Sequence, residues 1–189
     1  MTAASDEELI GRVRRGDPAG AEELFERYSA PLLRFTARMI GSDAEAEEIT
    51  QDVFLKMIGR VAQYDGRAKV SSWLFAIAAN ACRDRFRHAR RAGTIPLEAV
   101  AERADGSERV DDRLLERERR SQVRRALSRL SEEQREALVL ARYHGLPYVE
   151  IARVLSISEG AVKTRVFRAM ETLKRVFSEG EEPCRAASS

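Results

Sequence analysis

Aromatic residues are scarce in this chain of 189: they make up 6% of it, with a single tryptophan. No alternating run of β-branched residues exceeds four positions. Strands draw on alternating β-branched and aromatic side chains, so they are not expected to build the fold. Cys82 and Cys184 are the only cysteines, which excludes a disulfide framework and fits a reducing compartment. Cys82, inside an apolar helical run, reads as a buried free thiol. His88 and His144 are isolated and match no zinc-ligand spacing. The longest weakly polar run, Trp73 to Cys82, holds ten residues, against the roughly 20 needed to cross a bilayer. The N-terminus, MTAASDEELIGR, is too polar and acidic for a signal peptide. A cytoplasmic protein without membrane insertion is expected. There is also no phosphate-cradling glycine loop, no HExxH and no nucleophile elbow. The chain is therefore not expected to be an enzyme, nor to carry a metal, a cofactor or a small-molecule substrate.

Charge is abundant instead. Hydrophobic residues, at 43%, suffice for globular cores, and 34% of the chain is charged. The net charge of +2 conceals segregation. Asp43 to Asp52 carries five acids and no base; Arg83 to Arg91 carries five arginines and one acid; Lys163 to Arg175 carries five bases and one acid. Two separated basic stretches suit two polyanion contacts. Each also suits a solvated helix face, and the arginines from 83 to 91 suit the negative end of a helix dipole.

The pattern is helical nearly throughout, which predicts an all-α fold. Ser5-Asp6-Glu7-Glu8 reads as a capping box opening a helix through about Arg15, closed by Gly16. Asp17-Pro18 starts the next helix; Pro31 predicts a break or kink in it, and Gly41 ends the unit. Ser42 to Glu45 forms a second box, opening a helix that carries Ile49, Val53, Leu55, Met57 and Ile58. Tyr64 to Val70 is a polar loop, after which Ser71 or Ser72 caps a long helix through about Arg91. The segment from Gly93 reads as an acidic linker, and a helix follows to about Leu130. Ser131 to Gln134 is a third box, whose helix stops at Gly145. The chain thus divides into a bundle over 5–92, a flexible acidic linker over 93–115, a second module over 116–177 and a disordered tail over 178–189.

The end of the second module is the most informative stretch. In PYVEIARVLSISEGAVKTRVFRAMETLK, residues 147–174, Ile151, Val154 and Leu155 give one apolar stripe. Ser156-Ile157-Ser158 interrupts it, with Ser158 placed to cap the next helix for about 1 kcal/mol. Val162, Val166 and Met170 continue the buried stripe. Lys163, Thr164, Phe167 and Arg168 fall opposite. A short helix, a tight turn and a basic amphipathic helix make a helix-turn-helix, the device that enters a DNA major groove.

These residues carry a resemblance. ALSRLSEEQREALVLARYHGLPYVEIARVLSISEGAVKTRVFRAMETLK resembles the promoter-reading region 4 of bacterial RNA polymerase sigma factors of the sigma-70 superfamily, in particular the extracytoplasmic-function (ECF) group. DAEAEEITQDVFLKM resembles that group's core-polymerase-binding helix, and SSWLFAIAANACRDRFR its promoter-melting helix, both of region 2. Together the matches span roughly Glu7 to Phe177. The resemblance implies a sigma factor that binds core RNA polymerase through the β′ clamp and β flap, directs it to promoters and promotes DNA melting. It implies that Gln51, Asp52, Phe54 and Leu55 form the polymerase surface, with an exposed aromatic as anchor; the alternative is that Phe54 and Leu55 belong to the core. It implies that Tyr64, Arg67 and Lys69 in the loop, with Asn80, Arg83 and Arg87 on the helix after it, contact the −10 element. There an extruded base needs a pocket and the phosphates need cations. Trp73 is either a melting wedge or core. For the −35 element it implies Lys163, Thr164, Phe167 and Arg168 at the bases, where Lys and Arg can donate to guanine, and Arg165 at phosphate. The acidic linker is either threaded through polymerase's RNA path or an inert tether. An anti-sigma partner is expected as well.

The sequence departs from the family at three places. Pro147 stands where a capping Ser is common, with Pro at the first helical position as partial compensation. Ser156 replaces the usual turn Gly, at about 1 kcal/mol if its φ is positive. Ala161 replaces a frequent Thr. The alternative is a LuxR-type helix-turn-helix regulator, whose βα receiver or ligand-binding domain has no counterpart in this N-terminal half.

Overall fold

The computed structural model describes residues 4–93 and 112–180; the linker and tail expectations that fall outside them are not tested by it. The described residues contain eight α-helices and one 3-10 turn. Helix α1 spans Asp6–Arg14, α2 Pro18–Ile40, α3 Asp43–Arg60 and α4 Val70–Arg91, with the 3-10 turn Val61–Gln63 before α4. In the second half α5 spans Asp112–Ser128, α6 Glu132–Arg142, α7 Tyr148–Leu155 and α8 Glu159–Gly180. Helix therefore takes in the last four residues of the expected linker and the first three of the expected tail.

Local chemistry sets most of the ends. Ser5 and Glu8 form the reciprocal box on α1, as Ser131 and Gln134 do on α6. Ser42 accepts from the Glu45 backbone N–H, which caps α3. Asp17 caps α2, with Pro18 next to it. The α1–α2 crossing is close enough that a Cβ on Gly20 would stand 2.8 Å from the Leu9 carbonyl oxygen, which only glycine avoids.

Two boundaries differ from expectation. Helix α2 continues through Pro31 unbroken. Proline forfeits one backbone hydrogen bond, but Leu24 on one side and Leu32, Phe35 and Met39 on the other are fully buried and hold both halves of the helix in the core. Helix α4 starts at Val70, before either candidate serine, and its N-cap Lys69 makes no side-chain cap bond. Val70 is fully buried, so packing rather than capping fixes this end. Ser72 is turned inward, 3% exposed.

Helices α1 to α4 close around Leu9, Ile10, Leu24, Phe35, Met39, Val53, Met57, Leu74 and Cys82. Thr36 and Thr50, both buried, join α2 to α3 by a hydroxyl contact of 3.0 Å. Helices α5 to α8 close around Leu127, Leu138, Leu140, Ile151, Val154, Val162 and Val166. The two modules share an interface: α7 lies on α4, and α6 on α2. Arg135 of α6, 5% exposed, donates to the carbonyls of Leu127 at 2.9 Å and Met39 at 2.6 Å. One guanidinium thus serves the C-terminal turns of α5 and α2, where carbonyls lack helical partners.

Candidate nucleic-acid and polymerase-binding surfaces

The turn between α7 and α8 aims the last helix. Ser156 adopts φ 55° and ψ 45° and is the one non-glycine with positive φ among the described residues. Ser158 accepts from the Ala161 N–H at 3.2 Å, the cap expected from sequence. Pro147, expected at the first helical position, is instead the N-cap, with Tyr148 the first helical residue, and its carbonyl accepts from the Ile151 N–H at 3.0 Å. Val162, Val166 and Ala169 are buried, so α8 turns Lys163, Thr164, Phe167 and Arg168 outward. Phe167 is 63% exposed, a large apolar surface that the fold leaves without an internal role. The Thr164 hydroxyl bonds the Gly160 carbonyl at 3.0 Å. Arg165 is turned toward α6, where it pairs with Glu133 at 3.0 Å.

The second surface lies on α4 and the loop before it. Asn80, Arg83 and Arg87 follow one another at i, i+3 and i+7, which places them on one helix face. Asn80 Oδ1 accepts from Arg83 at 2.8 Å, and Arg87 pairs with Asp84. Arg67 and Lys69 are exposed in the loop. Tyr64 is not on the surface: it is 6% exposed, its hydroxyl donates to the Ala68 carbonyl at 2.5 Å, and burial raises its pKa. Its ring meets Trp73 at 5.0 Å. Both aromatics pack on the core and brace the loop, so Tyr64 shapes the candidate pocket from beneath rather than lining its mouth.

The third surface is the outward face of α3. Gln51, Asp52 and Leu55 are exposed, Leu55 by 67%. Phe54 is 6% exposed and packs on the Phe25 ring at 4.8 Å, so the expected exposed anchor is core. Leu55, with Ile58 at 48% and Phe25 at 47%, supplies the exposed apolar area instead. Ile58 and Phe25 were missed. The spacing Gln51, Leu55, Ile58, at i, i+4 and i+7, held the signal, because the core face of α3 runs through Ala46, Ile49, Val53 and Met57.

Arg83, Arg90 and Lys69 also meet carboxylates of the second module. Arg83 pairs with Glu136 at 2.8 Å, Lys69 with Glu150 at 2.5 Å, and Arg90 with Glu132. Glu136 is 2% exposed; burial raises its pKa, and Arg83 pulls it back. No group of three His, Cys, Asp or Glu side chains able to hold a metal occurs among the described residues. No helix among them is long and apolar enough to cross a membrane.

These features define a two-module, all-helical protein with a terminal helix-turn-helix. The family model for Sigma-70 region 2 matches residues 24–92, and that for Sigma-70 region 4 matches residues 120–173. The ECF RNA polymerase sigma factor SigM of Mycobacterium tuberculosis is 36% identical over 173 residues, covering 92% of this chain and 85% of SigM. The sigma factor CarQ of Myxococcus xanthus is 34% identical over 174 residues, covering 90% of this chain and 96% of CarQ. In fold the chain is similar to CnrH, solved with the cytosolic domain of CnrY, at TM-score 0.73, 22% identity and coverage of 93% and 99%. It is also similar to RpoE of Bartonella quintana, solved with the anti-sigma factor NepR, at TM-score 0.64, 24% identity and coverage of 83% and 96%. The chain belongs to the ECF group of the sigma-70 family of RNA polymerase sigma factors. Relatives that are sigma factors over nine-tenths of the chain do not favour the LuxR-type alternative.

Proposed function

We propose that this sigma factor docks on core RNA polymerase through α3, reads the −35 element with α8 and opens the −10 element with α4 and its entry loop. The observation that carries the proposal is the separation of three exposed faces on two modules, in the order of the two family regions. Gln51, Asp52 and Leu55, extended by Ile58 and Phe25, offer an apolar centre with a polar rim, the make-up of a specific protein interface. This face would meet the β′ clamp, and the second module the β flap. On α8, Lys163, Thr164, Phe167 and Arg168 can enter the major groove and donate to guanine or pack on a thymine methyl, with Arg165 near phosphate. On α4, Arg83 and Arg87 would hold single-strand phosphates, Asn80 a base edge, and Arg67 and Lys69 the strand entering the loop. The linker 93–115 would join the modules and the tail 178–189 would follow them.

An anti-sigma partner fits this reading, since CnrH and RpoE were solved with CnrY and NepR. The chain acts in the cytoplasm, as a binding protein rather than an enzyme. The test adds purified protein to sigma-free core polymerase with a library of promoter fragments from the source genome. Transcripts starting at a defined promoter class are expected only when both are present. Tight promoter binding by the protein alone, with no transcripts on adding core, would overturn the proposal.

A further inference from the structure

A half-open cleft of about 620 Å³ lies where α2 and the start of α3 face α5 and the end of α6. Small-molecule sites run from about 300 to 1,000 Å³. The floor is apolar, with Leu33 and Ala37 from α2 and Val123 and Leu127 from α5. The rim is cationic: Arg34 and Arg38 stand on one side, Arg119 and Arg124 on the other. Asp43 and Glu47 are the acids of the lining. Asp43 pairs with Arg124 at 3.0 Å, so Arg34, Arg38 and Arg119 outnumber the remaining carboxylate within the cleft. Arg38 donates from Nη1 to the Arg34 carbonyl at 3.0 Å. Its Nε is out of solvent and meets no acceptor among the described residues, a costly state for a charged donor. The guanidinium lies over the Tyr143 ring at 4.1 Å, which holds it at the cleft wall. The excess of positive charge reaches the core behind: after burial, Arg38 and Arg34 lower the pKa of His144.

We propose that this cleft binds a nucleoside polyphosphate. Phosphate oxygens match the guanidinium fork and accept two parallel bonds from it. A chain of phosphates can answer Arg34, Arg38 and Arg119 together, whereas a single carboxylate, as on a fatty acid, would leave two of them unanswered. Tyr143, 45% exposed, offers a flat surface on which a base can stack. Glu47, exposed at the rim, can accept from a ring N–H or an amino group of that base. The apolar floor takes the remaining faces of the base and sugar out of water. No residue of the cleft belongs to the α3, α4 or α8 faces described above, so an empty cleft would leave the reading of those faces untouched.

The test is calorimetric titration of the full chain with GTP at physiological salt, with inorganic triphosphate as the comparison. GTP is expected to bind one to one and more tightly than triphosphate. The variant Arg34→Glu/Arg119→Glu reverses two exposed arginines of the rim. It is expected to weaken GTP binding about 100-fold, since each charged hydrogen bond to phosphate contributes about tenfold or more. Arg15→Glu/Arg129→Glu reverses two exposed arginines elsewhere, matches the change in net charge and is expected to bind as the wild-type chain does. Arg34→Gln alone, milder for folding, should show part of the loss, and circular dichroism checks that every variant keeps its helix content. Tyr143→Ser should weaken GTP and leave triphosphate unchanged. No binding of GTP, or equal losses in the two double variants, would overturn the site. GTP and triphosphate binding alike, with Tyr143→Ser altering neither, would overturn the nucleoside as its occupant.

Discussion

Arg135 offers the sharpest energetic test. Its guanidinium is 5% exposed and burial lowers its pKa, so the ion is held by carbonyls rather than by a direct ion pair among the described residues. Two bonds are short, 2.9 Å to Leu127 and 2.6 Å to Met39, and a third to Leu130 is long at 3.4 Å. Hydrogen bonds from a charged donor contribute roughly 1.5–3 kcal/mol each, so the two short ones account for about 3–6 kcal/mol. Arg135→Met keeps the bulk and removes both. It also relieves the desolvation of the ion, a return of a few kcal/mol by comparison with buried ion pairs replaced by apolar residues. A net loss of about 2 kcal/mol is expected. Urea unfolding followed by helical circular dichroism measures it, and Arg135→Lys, which can serve one carbonyl, should recover part. A loss below about 1 kcal/mol, or a gain, refutes the idea that this residue caps α2 and α5 together.

Other expectations follow from single residues. Arg168→Ala should cost about 1–3 kcal/mol on the cognate −35 element and little on scrambled DNA; equal losses in an electrophoretic mobility assay with holoenzyme would make Arg168 a phosphate contact. Leu55→Arg should abolish core-polymerase binding in a pull-down with unchanged helix content, whereas Phe54→Ala should lower stability by about 3–5 kcal/mol; the reverse pattern would contradict their assigned places. Ser156→Gly should raise stability by up to about 1 kcal/mol by relieving the left-handed backbone, read as a higher urea midpoint, and a lower midpoint would contradict the strain. His144, against the Phe35 and Phe75 rings at 6.0 and 4.7 Å, has its pKa lowered to about 4 by burial and then by Arg38 and Arg34. A folded pKa below the unfolded value of about 6.5 means stability is complete above that value and lost as pH falls toward 4. The difference in stability between the wild-type chain and His144→Gln should therefore shrink over that window; a constant difference contradicts it.

What the sequence revealed depended on period and locality. The α8 face was legible because Val162, Val166 and Met170 repeat at steps of four and leave Lys163, Phe167 and Arg168 opposite. Capping boxes at Ser5 and Ser131 were legible because donor and acceptor lie three residues apart. Phe54 and Leu55 were not separable by composition: adjacent positions on a helix differ by about 100°, and only the phase set by Val53 and Met57 decides which is inside. Pro31 and the start of α4 went against local signals because burial on both sides outweighed them. The pairing of Arg83 with Glu136 joins residues 53 apart in sequence, and neither residue type signals the other at that distance. Glu136 reads as one more helix-surface acid until α6 is laid against α2 and its neighbour α4.

The most direct test of the two-site promoter reading maps melted DNA. Permanganate marks unpaired thymines on a promoter fragment incubated with core polymerase, this protein, or both. Reactive thymines across the −10 element only with both present, lost on Arg83→Ala/Arg87→Ala and kept on Arg168→Ala once the complex is driven to saturation, are predicted. Melting by core alone, or melting with both that survives the loss of Arg83 and Arg87, would contradict the account.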